Sequence, residues 1–167
     1  MTKPTAGGAR GPATPATVAL TAAGIAFTPH TYEHHDTATN FGEEAAAELG
    51  LSEERVFKTL VADADGTLVV GVVPVSGRLD LKALAAAVGA KKASLADPAL
   101  VERRTGYVVG GISPLGQKTA ATTVVDASAA SFPSVFVSGG RRGFDIEIAP
   151  DDLVRATGGT YAAIRRD

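Results

Sequence analysis

The chain has 167 residues, 45% of them hydrophobic, which fits one domain with a sizeable core. A net charge of −2 excludes strong sequence-independent nucleic-acid binding, so any RNA contact must come from local patches. There is no cysteine, which excludes disulfides, a cysteine nucleophile and thiolate metal sites. Residues 1–13, rich in Gly, Pro and Thr, have almost nothing to bury and are expected to be a disordered extension, leaving 14–167 as a single domain. Residues 1–17 hold no apolar signal-peptide region, and no apolar run is long enough to span a membrane, so the expected location is the cytoplasm with no membrane partner. Thr14-Pro15 reads as N-cap and first helical position of a helix that stops at Gly24. Residues 25–32 (IAFTPHTY) read as a short strand that Pro29 confines to a sheet edge. Asn40 and Glu43 have capping spacing for an Ala-rich helix ending at Gly50.

Residues 56–62 (VFKTLVA) and 67–73 predict a hairpin around Asp65-Gly66. In the first strand, Val56, Lys58, Leu60 and Ala62 share one face, and Phe57, Thr59 and Val61 the other. A lysine among apolar neighbours either snorkels to an edge or points into a polar pocket. Asp80 caps a helix ended by Gly89, and Asp97-Pro98 starts another through about Arg103. Residues 105–118 (TGYVVGGISPLGQK) organise the chain. Tyr107-Val108-Val109 predict a strand, which breaks at Gly110-Gly111 into a loop holding Ser113, Gly116 and Gln117. Such a loop is either a structural turn or a way of aiming backbone N–H groups at an anion or a carbonyl. Residues 122–125 predict a strand, 135–138 and 144–148 a hairpin, and Pro150 opens a last helix ending near Gly158. About six strands and five short helices without a βαβ rhythm predict a mixed α+β fold: a central barrel-like sheet of mixed strands surrounded by short helices.

The tempting catalytic constellations are weak. His30, His34 and His35 sit around Pro29 in extended chain, so they read as structural or solvated histidines, and no metal is expected. Ser113 precedes Pro114 and lacks a nucleophile elbow. The Gly pairs match neither a P-loop nor a dinucleotide fingerprint, and no cofactor is expected. The basic doublets Lys91-Lys92, Arg103-Arg104, Arg141-Arg142 and Arg165-Arg166 are either solvated faces or parts of a phosphate-contacting patch.

Five motifs in order — TYEHHDTATNFGEE, VFKTL, LDLKALAAAVGAKK, TGYVVGGISPLGQK and VSGGRRGFDIEIAPDDL — resemble the YbaK family, freestanding relatives of the editing domain inserted in bacterial prolyl-tRNA synthetases. The resemblance runs from about Val18 to the last residues. It implies a mixed β-barrel ringed by helices and an enzyme that removes cysteine from mischarged proline tRNA, with cysteinyl-tRNA(Cys) as a further substrate and prolyl-tRNA synthetase as a candidate partner. Lys58 matches the family's essential lysine. Tyr32, Phe41, Thr59, Gly111, Ser113 and Asp145 occupy matching positions around the family pocket, and Gly110 joins them as the first glycine of the loop. Arg141 and Arg142 are the candidate tRNA phosphate contacts. The implied reaction is attack by the substrate's own thiol on its ester carbonyl, formally that of a hydrolase or of a lyase. The rival readings are an Ala-tRNA(Pro) deacylase using water, and a non-catalytic module binding tRNA or a synthetase.

Overall fold

A computed structural model describes residues 11–35 and 40–167. In chain order the elements are α1 (Pro15–Ala23), β1 (Thr28–Thr31), α2 (Phe41–Leu49), β2 (Phe57–Ala64), β3 (Thr67–Pro74), β4 (Arg78–Leu79), α3 (Leu81–Ala87), β5 (Ala93–Leu95), α4 (Pro98–Thr105), β6 (Thr122–Asp126), β7 (Val135–Arg141), β8 (Phe144–Ile148), α5 (Pro150–Thr157), β9 (Thr160–Ala162) and β10 (Arg165–Arg166), with a 3₁₀ turn at Ala127–Ser131. The expected extension 1–13 lies outside the described residues for its first ten positions. Gly11 sits so close to Pro29 and Phe144 that a Cβ there would come within 2.8 Å of both.

Local chemistry sets the helix ends. Thr14 accepts a bond from Thr17 N–H and Thr17 reciprocates, while Pro15 takes the first turn of α1. Asn40, Asp80 and Asp97 each cap a helix by accepting the N–H three residues on. Gly24, Gly50, Gly106 and Gly158 end α1, α2, α4 and α5 in the left-handed conformation.

The strands form a five-stranded mixed sheet in the order β5-β2-β3-β6-β9, a three-stranded sheet β1-β8-β7 and a two-stranded sheet β10-β4. The expected single barrel-like sheet of about six strands is therefore corrected to three open sheets carrying ten strands among the described residues. Closure fails for a physical reason. The five- and three-stranded sheets meet through one bridge, Val56–Phe136. On the outer side of β2, β5 pairs only with Ala62–Ala64. The outer edge of Phe57–Leu60 therefore faces a gap instead of a strand. The expected strand at 107–109 is a second correction: α4 runs through Thr105, Gly106 turns the chain at φ 80°, and Tyr107 onward is an irregular loop.

The alternation read for β2 holds. Phe57 and Val61 enter one core with Val70, Val72, Ile146 and Leu153, while Ala62 and Leu60 enter another with Val73, Leu79, Leu84 and Ile164. Burying each such aliphatic side chain contributes roughly 1.5–3 kcal/mol. A smaller third cluster packs Ala45 and Ala46 of α2 on Val56, Val75 and Phe136. That cluster fixes α2 across one end of the gap.

Candidate active site

The gap beside β2 opens into a cleft of about 310 Å³. Four segments build it. β2 supplies Phe57, Lys58, Thr59 and Leu60, and β8 supplies Asp145 with Ser138 opposite it on β7. Tyr32, tied by its N–H to Gly143 O at 2.9 Å, and the start of α2 with Asn40, Phe41 and Gly42 form a third wall. The loop after α4 contributes Val109, Gly110 and Ile112. Because the outer edge of β2 is open here, side chains from both of its faces reach the cleft. That is why Lys58 and Thr59, adjacent in sequence, line it together.

Three groups in the cleft have unmet polar capacity. Lys58 makes no ion pair among the described residues. Burial holds its ammonium below the usual lysine range; Glu43 works against this and Arg78 adds to it. Thr59 Oγ1 is buried with no hydrogen-bond partner among the described residues. Native proteins rarely leave such a hydroxyl unmet, and the residue that carries this one lines the cleft. Asp145 is 4% exposed, and burial alone pushes its carboxyl up to about 7. Burial, and then the Asp145 charge, push the Tyr32 hydroxyl above its ordinary range.

The glycine pair works by close approach. Gly110 adopts φ +91°, and a Cβ there would lie 2.7 Å from Arg142 Nε and 3.1 Å from the Phe41 ring. A Cβ at Gly111 would lie 2.7 Å from Arg141 Cα. The loop is thus pressed against the β7–β8 turn. Arg142 fastens it: its Nε and Nη2 donate to Val109 O at 2.9 and 2.7 Å, and its guanidinium stacks 4.8 Å over the Phe41 ring. Val109 N–H donates in turn to Glu102 Oε2 at 2.8 Å. Arg142, expected as a phosphate contact, is engaged within the chain; Arg141 is exposed at the end of β7.

The structure therefore brings together Tyr32, Phe41, Thr59, Lys58, Gly110 and Asp145 of the expected residues. Gly111 and Ser113 fall outside the lining. Ser113 is fully buried, its Oγ accepts Leu115 N–H at 3.2 Å, and its carbonyl accepts from Gln117 Nε2 at 3.0 Å. Tyr107, whose hydroxyl donates to Leu115 O at 2.6 Å, anchors the same half of the loop. Asn40, Gly42, Ala45, Val109, Ile112 and Ser138 were not foreseen. Gly42 is there for close packing, since a Cβ would lie 2.5 Å from Val75, a contact that the sequence does not reveal.

The histidines are each beside a glutamate. His30 Nε2 lies 2.9 Å from Glu147 Oε1, His34 Nδ1 2.8 Å from Glu44 Oε1, and His35 Nε2 3.4 Å from Glu48 Oε2. The one group of candidate ligand atoms found among the described residues, on Glu33, His35 and Glu48, is on exposed residues apart from the cleft lining. A second cleft of about 280 Å³ lies at the far ends of β2 and β3, where Asp63 already accepts Gly66 N–H at 2.7 Å. Among the described residues no helix is long and apolar enough to cross a membrane.

The class follows from the sequence that builds this fold and cleft: residues 34–156 match the aminoacyl-tRNA editing domain, and the chain belongs to that family. Among individual proteins, it is 41% identical over 123 residues to the Enterococcus faecalis protein named "Putative Cys-tRNA(Pro)/Cys-tRNA(Cys) deacylase EbsC", covering 73% of this chain and 75% of the relative. A crystal structure described as hypothetical protein APE2540 superposes with a TM-score of 0.81 at 30% identity, covering 92% of this chain and 100% of the other. A structure described as "a putative trans-editing enzyme for prolyl tRNA synthetase" gives a TM-score of 0.81 at 24% identity, covering 94% and 100%, which speaks to fold alone.

Proposed function

We propose that the chain is a trans-editing deacylase of the cytoplasm that clears cysteine from mischarged proline tRNA, and cysteinyl-tRNA(Cys) with it. One observation carries the reading: a Lys58 ammonium and a Thr59 hydroxyl, both without partners among the described residues, and a desolvated Asp145 converge on one cleft. The 41% identity to the E. faecalis protein supports the substrate class. Selection by size alone separates close analogues only about 10–200-fold, so a synthetase that accepts proline needs a second sieve against cysteine.

In the proposed reaction the substrate thiol attacks its own ester carbonyl. The S–C bond forms, the C–O bond to the terminal ribose breaks, and the thiol proton ends on the departing ribose oxygen, releasing a thiolactone and free tRNA. The protein's task is then positional and electrostatic. Lys58 is the cation for the terminal phosphate or the ester region. Thr59 Oγ1 and Gly110 N–H are the donors for the developing oxyanion, Gly111 N–H being already bonded to Val108 O at 2.9 Å. Asp145 and Tyr32 receive the substrate's α-amino group, which sits on the carbon next to the ester carbonyl. No residue is asked to act as nucleophile, which accords with the burial of Ser113.

The test compares Cys-, Ser- and Ala-charged proline tRNA under identical conditions. Fast loss of the cysteinyl form and slow loss of the other two is expected, because a hydroxyl is scarcely ionised at neutral pH and Ala has no nucleophile at all. Equal loss of all three would transfer the reaction to water, and no loss of any would leave a binding module.

A further inference from the structure

Arg78 and Arg166 stand directly opposite one another in the antiparallel β4–β10 pair, with Leu79 opposite Arg165. Opposed residues of such a pair project from one face with Cβ atoms about 5 Å apart, and like charges there repel. Neither arginine is in an ion pair among the described residues, and both are exposed; the neighbouring Arg165 is held by Glu54 at 3.2 Å.

The fold holds this repulsive pair firmly in place. Ile164 and Arg165 N–H both donate to buried Asp126 Oδ1 at 3.0 Å, and Asp80 N–H donates to Ile164 O at 2.7 Å. Gly77 clears the way for β10: a Cβ there would lie 2.6 Å from the Arg165 side chain and 3.0 Å from Arg166 O. Leu79 packs over Gly71, which pairs with Leu60 on β2, so β4 covers the face of the sheet that also carries Lys58. Arg78 is near enough to Lys58 to oppose its charge, after the larger effects of burial and Glu43.

We propose that Arg78 and Arg166 form a docking surface for the phosphodiester backbone of the tRNA acceptor arm, leading its 3′ end to Lys58. The identity of the polyanion rests on the deacylase reading above. A regular row of phosphates relieves the arginine pair's repulsion, which no described side chain does, and the surface shares its sheet face with the cleft lysine. The chain's overall charge of −2 makes such a local patch the means of holding RNA.

The experiment measures binding of uncharged proline tRNA to the full chain across a range of salt concentrations, for the parent, R78Q/R166Q and R103Q/R104Q. Gln keeps much of the stem while removing the charge. The double variant at the docking surface should flatten the log–log salt slope by about two, near 0.9 for each phosphate no longer neutralised. R166Q alone, the fallback should the double variant fold poorly, should remove about half of that, and R103Q/R104Q on α4 should leave the slope alone. An unchanged slope in folded R78Q/R166Q overturns the proposal. So does displacement of the tRNA by inorganic phosphate at constant ionic strength, which would assign the pair to a small anion. Because the tRNA is uncharged, failure here leaves the deacylase reading standing, and failure of the deacylation assay leaves this measurement valid.

Discussion

Replacing Asp145 by Asn should stabilise the protein above neutral pH and change it little in acid. The Asp145 carboxyl is buried against no described hydrogen-bond donor, and desolvation lifts it from an ordinary 3.8 to about 7. Between those values the native state binds more protons than the unfolded chain. Stability therefore falls as pH rises through this window, and the full cost is present above about 7. At about 1.4 kcal/mol per pH unit, the gap corresponds to a cost on the order of 4 kcal/mol at alkaline pH. Near pH 5 somewhat more than a third of that is already felt, so the Asn variant's advantage should grow by about 3 kcal/mol between pH 5 and pH 8.5. Urea unfolding of parent and variant at the two pH values reads this difference directly, since all other titrating groups are shared. Deacylation should meanwhile fall, giving a variant more stable and less active at once, the pattern of a group retained for chemistry. Parallel stabilities of the two proteins at both pH values would refute the reasoning, because Asp145 would then ionise in the folded state as an ordinary carboxylate does.

Other outcomes are expected from the same geometry. Lys58→Ala should lower deacylation by on the order of 10²–10³, the scale for removing a key electrostatic interaction, with an unchanged melting temperature; near-parental activity in a folded variant would remove Lys58 from the mechanism. Gly110→Ala should cost about 1–2 kcal/mol of stability, from the positive φ and the close approach to Arg142, and should lower activity; thermal melting checks the first part. Arg142→Lys keeps the charge but loses the paired donors to Val109 O, and with Phe41→Leu it should show a coupling energy of about 0.5–1 kcal/mol in a double-mutant cycle. Additive effects would mean that the stack over Phe41 holds nothing in place.

What could be read from the sequence depended on the length of the pattern. Capped helices and the β2–β3 hairpin were legible because Asn40, Asp80, Asp97 and Asp65-Gly66 each satisfy a local backbone requirement. β4 and β10, two residues each, carry no periodicity and exist through long-range bonds to Asp126 and Ile164. The stretch 107–109 looked like a strand from its β-branched and aromatic residues, but Gly106 turns the chain and Val108 is 53% exposed. Lys58 was legible as a cation on an apolar face. Whether it met a pocket or an edge was not, and the cleft shows that it meets both, since the pocket is the open edge. Ser113 was drawn toward the site by the family resemblance, yet Tyr107 and Leu115 turn that half of the loop into the core.

A sheet that stays open to make a cleft also keeps free margins elsewhere, and free margins recruit other chains. Here they are short or interrupted. β1 carries Pro29, while β5 and β9 are three residues each. The most exposed apolar group on a margin is Leu95, which follows Lys91 and Lys92 by only a few residues. Those two charges repel an approaching copy of the same segment, a common guard against edge-to-edge aggregation. The guard is electrostatic and salt weakens it. Solubility of the protein at high concentration should therefore be least secure at high ionic strength, with association beginning along β5.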